Sequence, residues 1–454
     1  MTGRHLTSSV LGLYALQPAL VRKRADVETH LAACGDCRSA LSDIRTFDAA
    51  LTETDTWPAS SADAGDRPAV EQLRAFAARS AEEDRQALRL LAEYEDLNAA
   101  PRFAWADIPD KPRYRTGGVA RLLCKRANGM CTRKPLYALA LAEAAVRIST
   151  GLPDATYPRA AIHELRGEAW KEQANALYCL GRFDDALAAL ASAEAEYRQL
   201  PHEGLGLVAV TYVRAYILYE QEQLEEADQL ARESAEAALH LGSTDRFMRA
   251  LHLQGEIRFR RGDIRGAIQL FAGVLRYGEE ANDQQWIARE ARALGVCHIE
   301  LMNPTEASRH LERSLRLCTG TDSAIELTRN RWAIARLSFL QGNRNEGVRR
   351  LRGVVAELTS EAMLTDAAIA AVHLAEMLHA TDRTGEIPKL LAGVVQTFVA
   401  AGMLSGALSA LAYLKEASTA GTMTPAMCSY VRQFIARAER QPALRFAPPP
   451  ESLL

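Results

Sequence analysis

The stretch "AWKEQANALYCLGRFDDALAALASAEAEYRQLP" (169–201) sets the pattern on which most of this chain is built. Its two halves read as helices joined by a short turn at 181–182, which predicts a helical hairpin. The small residue Ala186 has later counterparts at intervals of 41, 40, 40, 40 and 40 residues, namely Ala227, Ala267, Ala307, Gly347 and Ile387. Six equivalent hairpins are therefore predicted.

Turn signals and small residues recur with the same period. Five residues before each of those positions comes a turn, which carries a glycine in three units (Gly181, Gly262 and Gly342). Residues of the helix N-cap type follow some turns, namely Asp263, Asn303 and Asn343, and Pro304 suits a first helical position. Twelve residues earlier lies a second small series: Ala174, Ala215, Gly255, Gly295, Ala335 and Ala375. These positions predict a close approach of the two helices in each hairpin.

The hairpin at 169–201 resembles the tetratricopeptide repeat, whose signature positions are matched or approached by Trp170, Ala174, Gly181, Phe183, Ala186, Leu190, Ala193 and Pro201. A period near 40 instead of about 34 implies longer helices. Single hairpins cannot bury their apolar faces, so the resemblance implies stacking into a right-handed α-solenoid with a concave face that binds other proteins. Polar and aromatic residues of the first helices are expected to line that face: Asn175, Tyr178, Tyr212, Tyr216, Arg258, Arg292, His298, Arg329 and Arg336.

The rest of the chain predicts four further segments around the array, which we place at 117–440. Residues 1–52 form a small helical domain, 53–68 a linker, 69–116 a long helix with a proline-rich connector, and 441–454 an irregular tail. Alanine, leucine, glutamate and arginine dominate and no alternating β-branched runs occur, so the fold is predicted to be all-α.

Composition narrows the function classes. The 454 residues carry a net charge of −3 with both signs interspersed, which disfavours nucleic acid as a partner. No stretch has the length and apolarity of a membrane span, and eight scattered cysteines suit a reducing compartment, so a cytoplasmic location is expected. We find no nucleophile motif, phosphate loop or paired carboxylates and predict no enzymatic activity.

A histidine and two cysteines lie within eight positions near the N-terminus. His30, Cys34 and Cys37 follow H-x3-C-x2-C spacing, and His30 and Cys34 lie one helical turn apart. Gly35 is expected to allow a turn that brings Cys37 to the same ion. These donors suit tetrahedral Zn²⁺, for which His5 is the best candidate fourth ligand. Alternatively, the cysteines are ordinary buried residues, or their oxidation ejects the metal and unfolds the domain.

The segment "VETHLAACGDCRSAL" (27–41) resembles the zinc-finger family of zinc-binding anti-sigma factors, in which the phrase "VExHLxxCxxCRxxL" follows an earlier Cys or His ligand. The resemblance implies a zinc module, with His5 near the position of the first ligand, and a group IV sigma factor as the protein partner. The chain keeps Tyr14 but lacks the acidic turn that the family often has there. The alternative is a repeat adaptor that recruits a protease or signalling partner, with a purely structural zinc domain.

Two other motifs are weaker candidates for a functional site. "HLAEMLH" (373–379) resembles a metalloprotease helix only superficially, because His373 and His379 are six residues apart and face different sides of a helix. Structural histidines are expected there. Cys124 and Cys131 are read as half-buried thiols of a degenerate first hairpin, formed by 118–130 and 135–148.

Overall fold

The computed structural model describes residues 6, 11, 14–15, 24–42, 66–97, 105–131, 134–201, 204–318, 324–361, 363–400, 405–438 and 444–450. Within these ranges the chain is helical without any strand, which confirms the all-α prediction. The contacts divide it into two compact units, Met1–Ala78 and Arg79–Leu454. None of the described helices combines the length and apolar character that a membrane crossing requires.

The N-terminal unit is built around two short helices, α1 (Arg24–Ala33) and α2 (35–42). Their apolar residues meet in a small core that also includes residues from the preceding segment: Leu11, Val27, Leu31, Cys37 and Leu41. Helix α3 (Asp66–Leu97) begins within this unit, close to the start predicted at Ala69, and continues into the second unit. Most of the predicted linker lies outside the described residues.

The second unit is a succession of antiparallel helices. They are α4 (Gly117–Met130), α5 (Pro135–Thr150), α6 (Arg159–Cys179), α7 (Phe183–Tyr197), α8 (Leu205–Glu220), α9 (Leu224–His240), α10 (Thr244–Arg260), α11 (Ile264–Glu280), α12 (Gln284–Glu300), α13 (Pro304–Cys318), α14 (Ala324–Leu340), α15 (Arg344–Ser360), α16 (Leu364–His379), α17 (Ile387–Ala400), α18 (Ser405–Thr419) and α19 (Pro425–Ala438). The six predicted hairpins run from α6 to α17, and the degenerate hairpin is α4–α5.

The turns keep the same backbone conformation in the units whose sequence lacks the turn glycine. In every unit the residue five positions before the small residue has positive φ: glycine in three units, and Glu222 (63°), Met302 (55°) and Asp382 (56°) in the others. A backbone bond spans each such turn, for example from the Asn303 N–H to the His298 carbonyl at 2.9 Å. This left-handed closure is the usual helix C-terminal motif. The predicted cap at Asp263 also forms, since its side chain accepts from the Gly266 N–H at 2.9 Å.

The predicted small positions lie where paired helices touch. All residues of both series are buried. A Cβ atom on Gly255 would lie 2.5 Å from the Phe271 ring, and one on Gly295 would lie 2.6 Å from the Leu311 side chain. The helices therefore approach too closely for any larger residue to fit without movement.

The segment before the array is more ordered than the sequence suggested. The proline-rich connector contains two short 3₁₀ helices, Trp105–Asp110 and Pro112–Tyr114. Glu83 of α3 accepts from the Gly118 N–H at 3.1 Å and from the Tyr157 hydroxyl at 2.9 Å, and thereby caps the start of α4. A side chain from α3 therefore caps the first helix of the degenerate hairpin, α4–α5.

The far end of the array is closed by the last helices and the tail. Helix α19 packs against α16 and α18, in one core with α17. The described part of the tail, 444–450, has no regular structure but is packed, because the Phe446 ring centroid lies 4.9 Å from that of Phe434. The Tyr430 hydroxyl donates to the Ala447 carbonyl at 3.1 Å.

Candidate functional site

The N-terminal unit brings His30, Cys34 and Cys37 together. Their ligand atoms all lie within 4.8 Å of one another, and His30 Nε2 is 3.3 Å from Cys37 Sγ. A tetrahedral ion holding sulfur at about 2.3 Å and nitrogen at about 2.1 Å separates its ligand atoms by roughly 3.5 Å. The three donors therefore fit a zinc ion after a small contraction.

The helix geometry that aligns these donors differs from the prediction. The expected turn at Gly35 is absent, because the break between α1 and α2 is a single residue, Cys34. Helical bonds continue across it, from the Cys34 N–H to the His30 carbonyl at 2.9 Å and from the Arg38 N–H to the Cys34 carbonyl at 3.2 Å. The three donors thus share one face of a nearly continuous helix, at intervals of four and three residues.

Neighbouring groups support this arrangement. The Arg38 guanidinium donates to the carbonyls of Leu31 and Ala32, both at 2.8 Å, and so satisfies the end of α1. The Leu6 N–H lies 3.3 Å from Cys37 Sγ and donates to it. Burial raises the pKa of the Cys37 thiol, against the opposing effect of the Leu6 N–H. A zinc ion would have to displace that thiol proton on binding.

His5, the predicted fourth ligand, lies outside the described residues. The first ligand of the resemblance is therefore untested. The residues that the family phrase shares with this chain do have structural roles in this unit. Val27, Leu31 and Leu41 are 6%, 7% and 7% exposed and form its core.

The inner surface of the array is formed by the first helices of the hairpins. Helix α8 contacts both α6 and α10, and α12 contacts α14, although each pair is separated by an intervening second helix. A curved stack brings together the helices on its inner side, so these first helices face the concave surface.

One group of side chains on these first helices, which we call the aromatic–arginine patch, consists of Tyr212, Tyr216, Arg249, Arg289 and Arg329 around Trp286, which is only 6% exposed. The Arg249 and Arg289 guanidiniums lie 5.9 and 5.3 Å from the Trp286 ring centroid. The rings of Tyr212 and Tyr216 are 6.0 Å apart. Four successive first helices contribute to the patch.

The side chains of the patch lie close enough to affect one another's pKa values. Burial raises the pKa of the Tyr212 hydroxyl, while Arg249 and Arg289 oppose that rise. Burial acts to lower the pKa of Arg329, but Asp366, Glu326 and then Tyr216 raise it on balance. Tyr216 and Arg329 belong to hairpins three units apart, so the concave surface brings distant repeats within electrostatic reach.

The predicted inner-surface residues divide into two groups. Tyr212, Tyr216 and Arg329 belong to the patch, and Tyr178 contacts it, with its ring 5.7 Å from that of Tyr216. The others bind neighbouring side chains within the stack: Asn175 donates to Glu172, Arg258 pairs with Asp263, Arg292 with Glu326 and Arg336 with Glu300. His298 faces His310 of its own hairpin.

Sequence reasoning missed the remaining members of the patch. Arg249, Trp286 and Arg289 lie in the N-terminal or middle turns of α10 and α12, whereas the predicted positions lie mostly nearer the ends of the first helices. Their spacing of 40 residues, from Arg249 to Arg289 and then to Arg329, was an available signal. One arginine per repeat at a fixed register marks a line along the concave surface.

The other motifs have structural roles. His373 is half-buried, and its ring centroid lies 5.5 Å from that of Trp332 in an edge-on contact, so it packs against the preceding hairpin. Cys124 is buried, and burial raises its pKa. Cys131 lies against Cys179 of α6, with the two sulfurs 2.9 Å apart.

Comparison with known proteins shows the fold. No family model matches the sequence, and no curated protein does either. Among solved structures, aspartyl phosphate phosphatase F from Bacillus subtilis is similar with a TM-score of 0.53 at 15% identity, covering 87% of this chain and 96% of that chain. A Rap protein complexed with competence and sporulation factor is similar with a TM-score of 0.51 at 16% identity, covering 65% and 79%. These likenesses support the all-α repeat architecture.

Proposed function

We propose that this protein is a regulatory protein-binding protein whose concave repeat surface holds a peptide or protein segment. The aromatic–arginine patch carries this proposal. Tyrosine and arginine are enriched at binding hot spots, and here they converge from four hairpins around the buried Trp286. The similar Rap protein was solved in complex with competence and sporulation factor, which supports a ligand-binding use of the fold.

Affinity purification of the full-length chain from its native host tests this use. Tyr212→Ala and Arg289→Ala remove patch side chains, and we expect each to reduce partner recovery at least tenfold, the effect of losing about 1.4 kcal/mol or more at a hot spot. Arg276→Ala is the matched control, since Arg276 is an exposed arginine of a second helix, α11. Equal recovery by all three folded variants would refute the proposed binding surface.

The N-terminal unit is, in our proposal, a zinc module of the anti-sigma-factor type. His30, Cys34 and Cys37 hold the ion, with His5 as the fourth ligand, and the partner implied by the resemblance is a group IV sigma factor. The donor set and the roles of the shared residues support this assignment. The competing function is an adaptor for a protease or signalling complex, with zinc only structural.

Binding to the host's purified group IV sigma factors separates these two functions. The full-length wild-type chain should retain one of them, and Cys37→Ser should lose it, because the module that makes the contact unfolds without metal. Arg289→Ala should keep sigma binding if the module alone makes that contact. If no sigma factor binds and the native partner is retained equally by Cys37→Ser, the adaptor function replaces the sigma-binding one.

A further inference from the structure

One hairpin of the array contains a second cluster of metal-ligand side chains. His298 lies near the end of α12, and Glu306 and His310 lie one turn apart on α13. One ligand atom from each residue lies within 4.8 Å of the other two. The two imidazole rings are nearly parallel, at 6°, with centroids 5.6 Å apart.

Two features of this cluster point to a bound cation. Nδ1 of His298 is buried and lacks a hydrogen-bond partner, which is costly for an imidazole nitrogen inside a helical hairpin. A positive group already occupies the space: Arg309 Nη2 lies 2.6 Å from Glu306 Oε2 and 3.3 Å from His310 Nε2. The Arg309 side chain is 69% exposed, so it can move into solvent and leave the donors to an ion.

We propose that His298, Glu306 and His310 bind a divalent transition-metal ion between α12 and α13. Two imidazoles and a carboxylate suit Zn²⁺ or Co²⁺ and disfavour Mg²⁺ and Ca²⁺, which prefer oxygen donors. A tetrahedral ion places such donors about 3.4 Å apart, so the side chains need to close by little more than 1 Å. Three protein ligands leave one position open for water or for a donor from a bound partner. This site is independent of the thiolate site and of the proposed function.

The full-length Cys34→Ser/Cys37→Ser protein separates this site from the N-terminal one, because it lacks the two thiolate donors of the N-terminal unit. After equilibrium dialysis against micromolar Zn²⁺, we expect about one zinc per chain by mass spectrometry. Adding His310→Gln or His298→Gln should weaken zinc binding at least tenfold. Arg309→Ala should retain or strengthen it, because the competing cation is gone, and His379→Gln, a half-buried histidine at the end of α16, is the matched control.

Cobalt gives a readout beyond stoichiometry. Co²⁺ bound in the same background should show ligand-field absorption without thiolate charge transfer, and the absorption should disappear in His310→Gln. The proposal is overturned if the Cys34→Ser/Cys37→Ser protein binds no zinc, or if His298→Gln and His310→Gln bind as much as the His379→Gln control. Thermal melts of all variants show whether a loss reflects unfolding, and only folded variants are compared.

Discussion

The N-terminal unit and the repeat array bury their apolar side chains on different scales. The described part of the first has a small core around Leu31 and Cys37, within which the ligand atoms of His30, Cys34 and Cys37 cluster. The array instead repeats one helix contact along its length, so each hairpin completes the core of the next. In our proposal the first core gains stability from a bound ion, whereas a core of the second kind gains it from neighbouring hairpins.

Loss of the thiolates should have the largest effect. Cys37→Ser should reduce zinc at the N-terminal unit to background and unfold residues 24–42, because metal binding supplies folding free energy on the order of 10 kcal/mol in such modules. Limited proteolysis of the full-length protein, with zinc analysis, measures both. Cys179→Ser, at a half-buried cysteine of the array, should keep the metal. Protease resistance of 24–42 in metal-free Cys37→Ser would break the contrast between the regions.

A cavity in the array should destabilise the protein less than loss of the thiolates does, and its effect should stay within the array. Phe271 is 1% exposed and packs against Gly255 of the partner helix, so Phe271→Ala should lower the free energy of unfolding by about 3–5 kcal/mol. Gly273→Ala on the same helix meets open space and should be neutral or stabilising by up to about 1 kcal/mol. Urea denaturation compares the two. Zinc content of the N-terminal unit should be unchanged in both, and a parallel loss would contradict separate cores.

Acid should weaken the array through His373. Burial, then Arg336 and Arg432, lower its pKa well below the usual 6.5. Below pH 6.5 the histidine is therefore protonated in the unfolded chain while it stays neutral in the folded chain. Stability from this residue is therefore present above pH 6.5 and lost as the pH falls, by up to about 1 kcal/mol between pH 6.5 and 5.5. Urea midpoints of wild type and His373→Leu across this range measure the difference. An identical slope in the two proteins would refute the assignment.

The smallest effects belong to the turns. Met302 adopts a φ of 55°, where glycine is favoured, so Met302→Gly should stabilise the array by up to about 1 kcal/mol. Gly262→Ala, at the same place in the preceding hairpin with a φ of 82°, should destabilise it by a similar amount. Shifts of the two denaturation midpoints in opposite directions would confirm that all units share one turn.

The sequence predicted the array well because repetition multiplies weak signals. Ala186 and its counterparts mark the same helix contact six times, so a turn lacking glycine, such as that at Glu222, does not hide the period. The N-terminal triad of His30, Cys34 and Cys37 could be predicted from spacing alone, since residues four and three apart share a helix face. The prediction of a turn at Gly35 was wrong, because the residues around Gly35 do not indicate that helical hydrogen bonds continue through Cys34.

The inner surface was predicted less well. Which polar residues of the first helices face one another depends on how far the stack curves, and a single sequence does not specify this. Arg292 and Arg336 satisfy carboxylates of neighbouring helices instead of facing the groove openly. Trp286 was missed because an aromatic residue near a helix start is equally typical of a core position.

Peptide-resolved hydrogen exchange of the zinc-loaded full-length protein, with and without a strong chelator, tests the contrast between the two regions most directly. We predict that chelation removes protection across 24–42, while the helices from 117 to 438 keep theirs, apart from a local change around His298 and His310. Protection of 24–42 that is the same with and without metal would contradict the account.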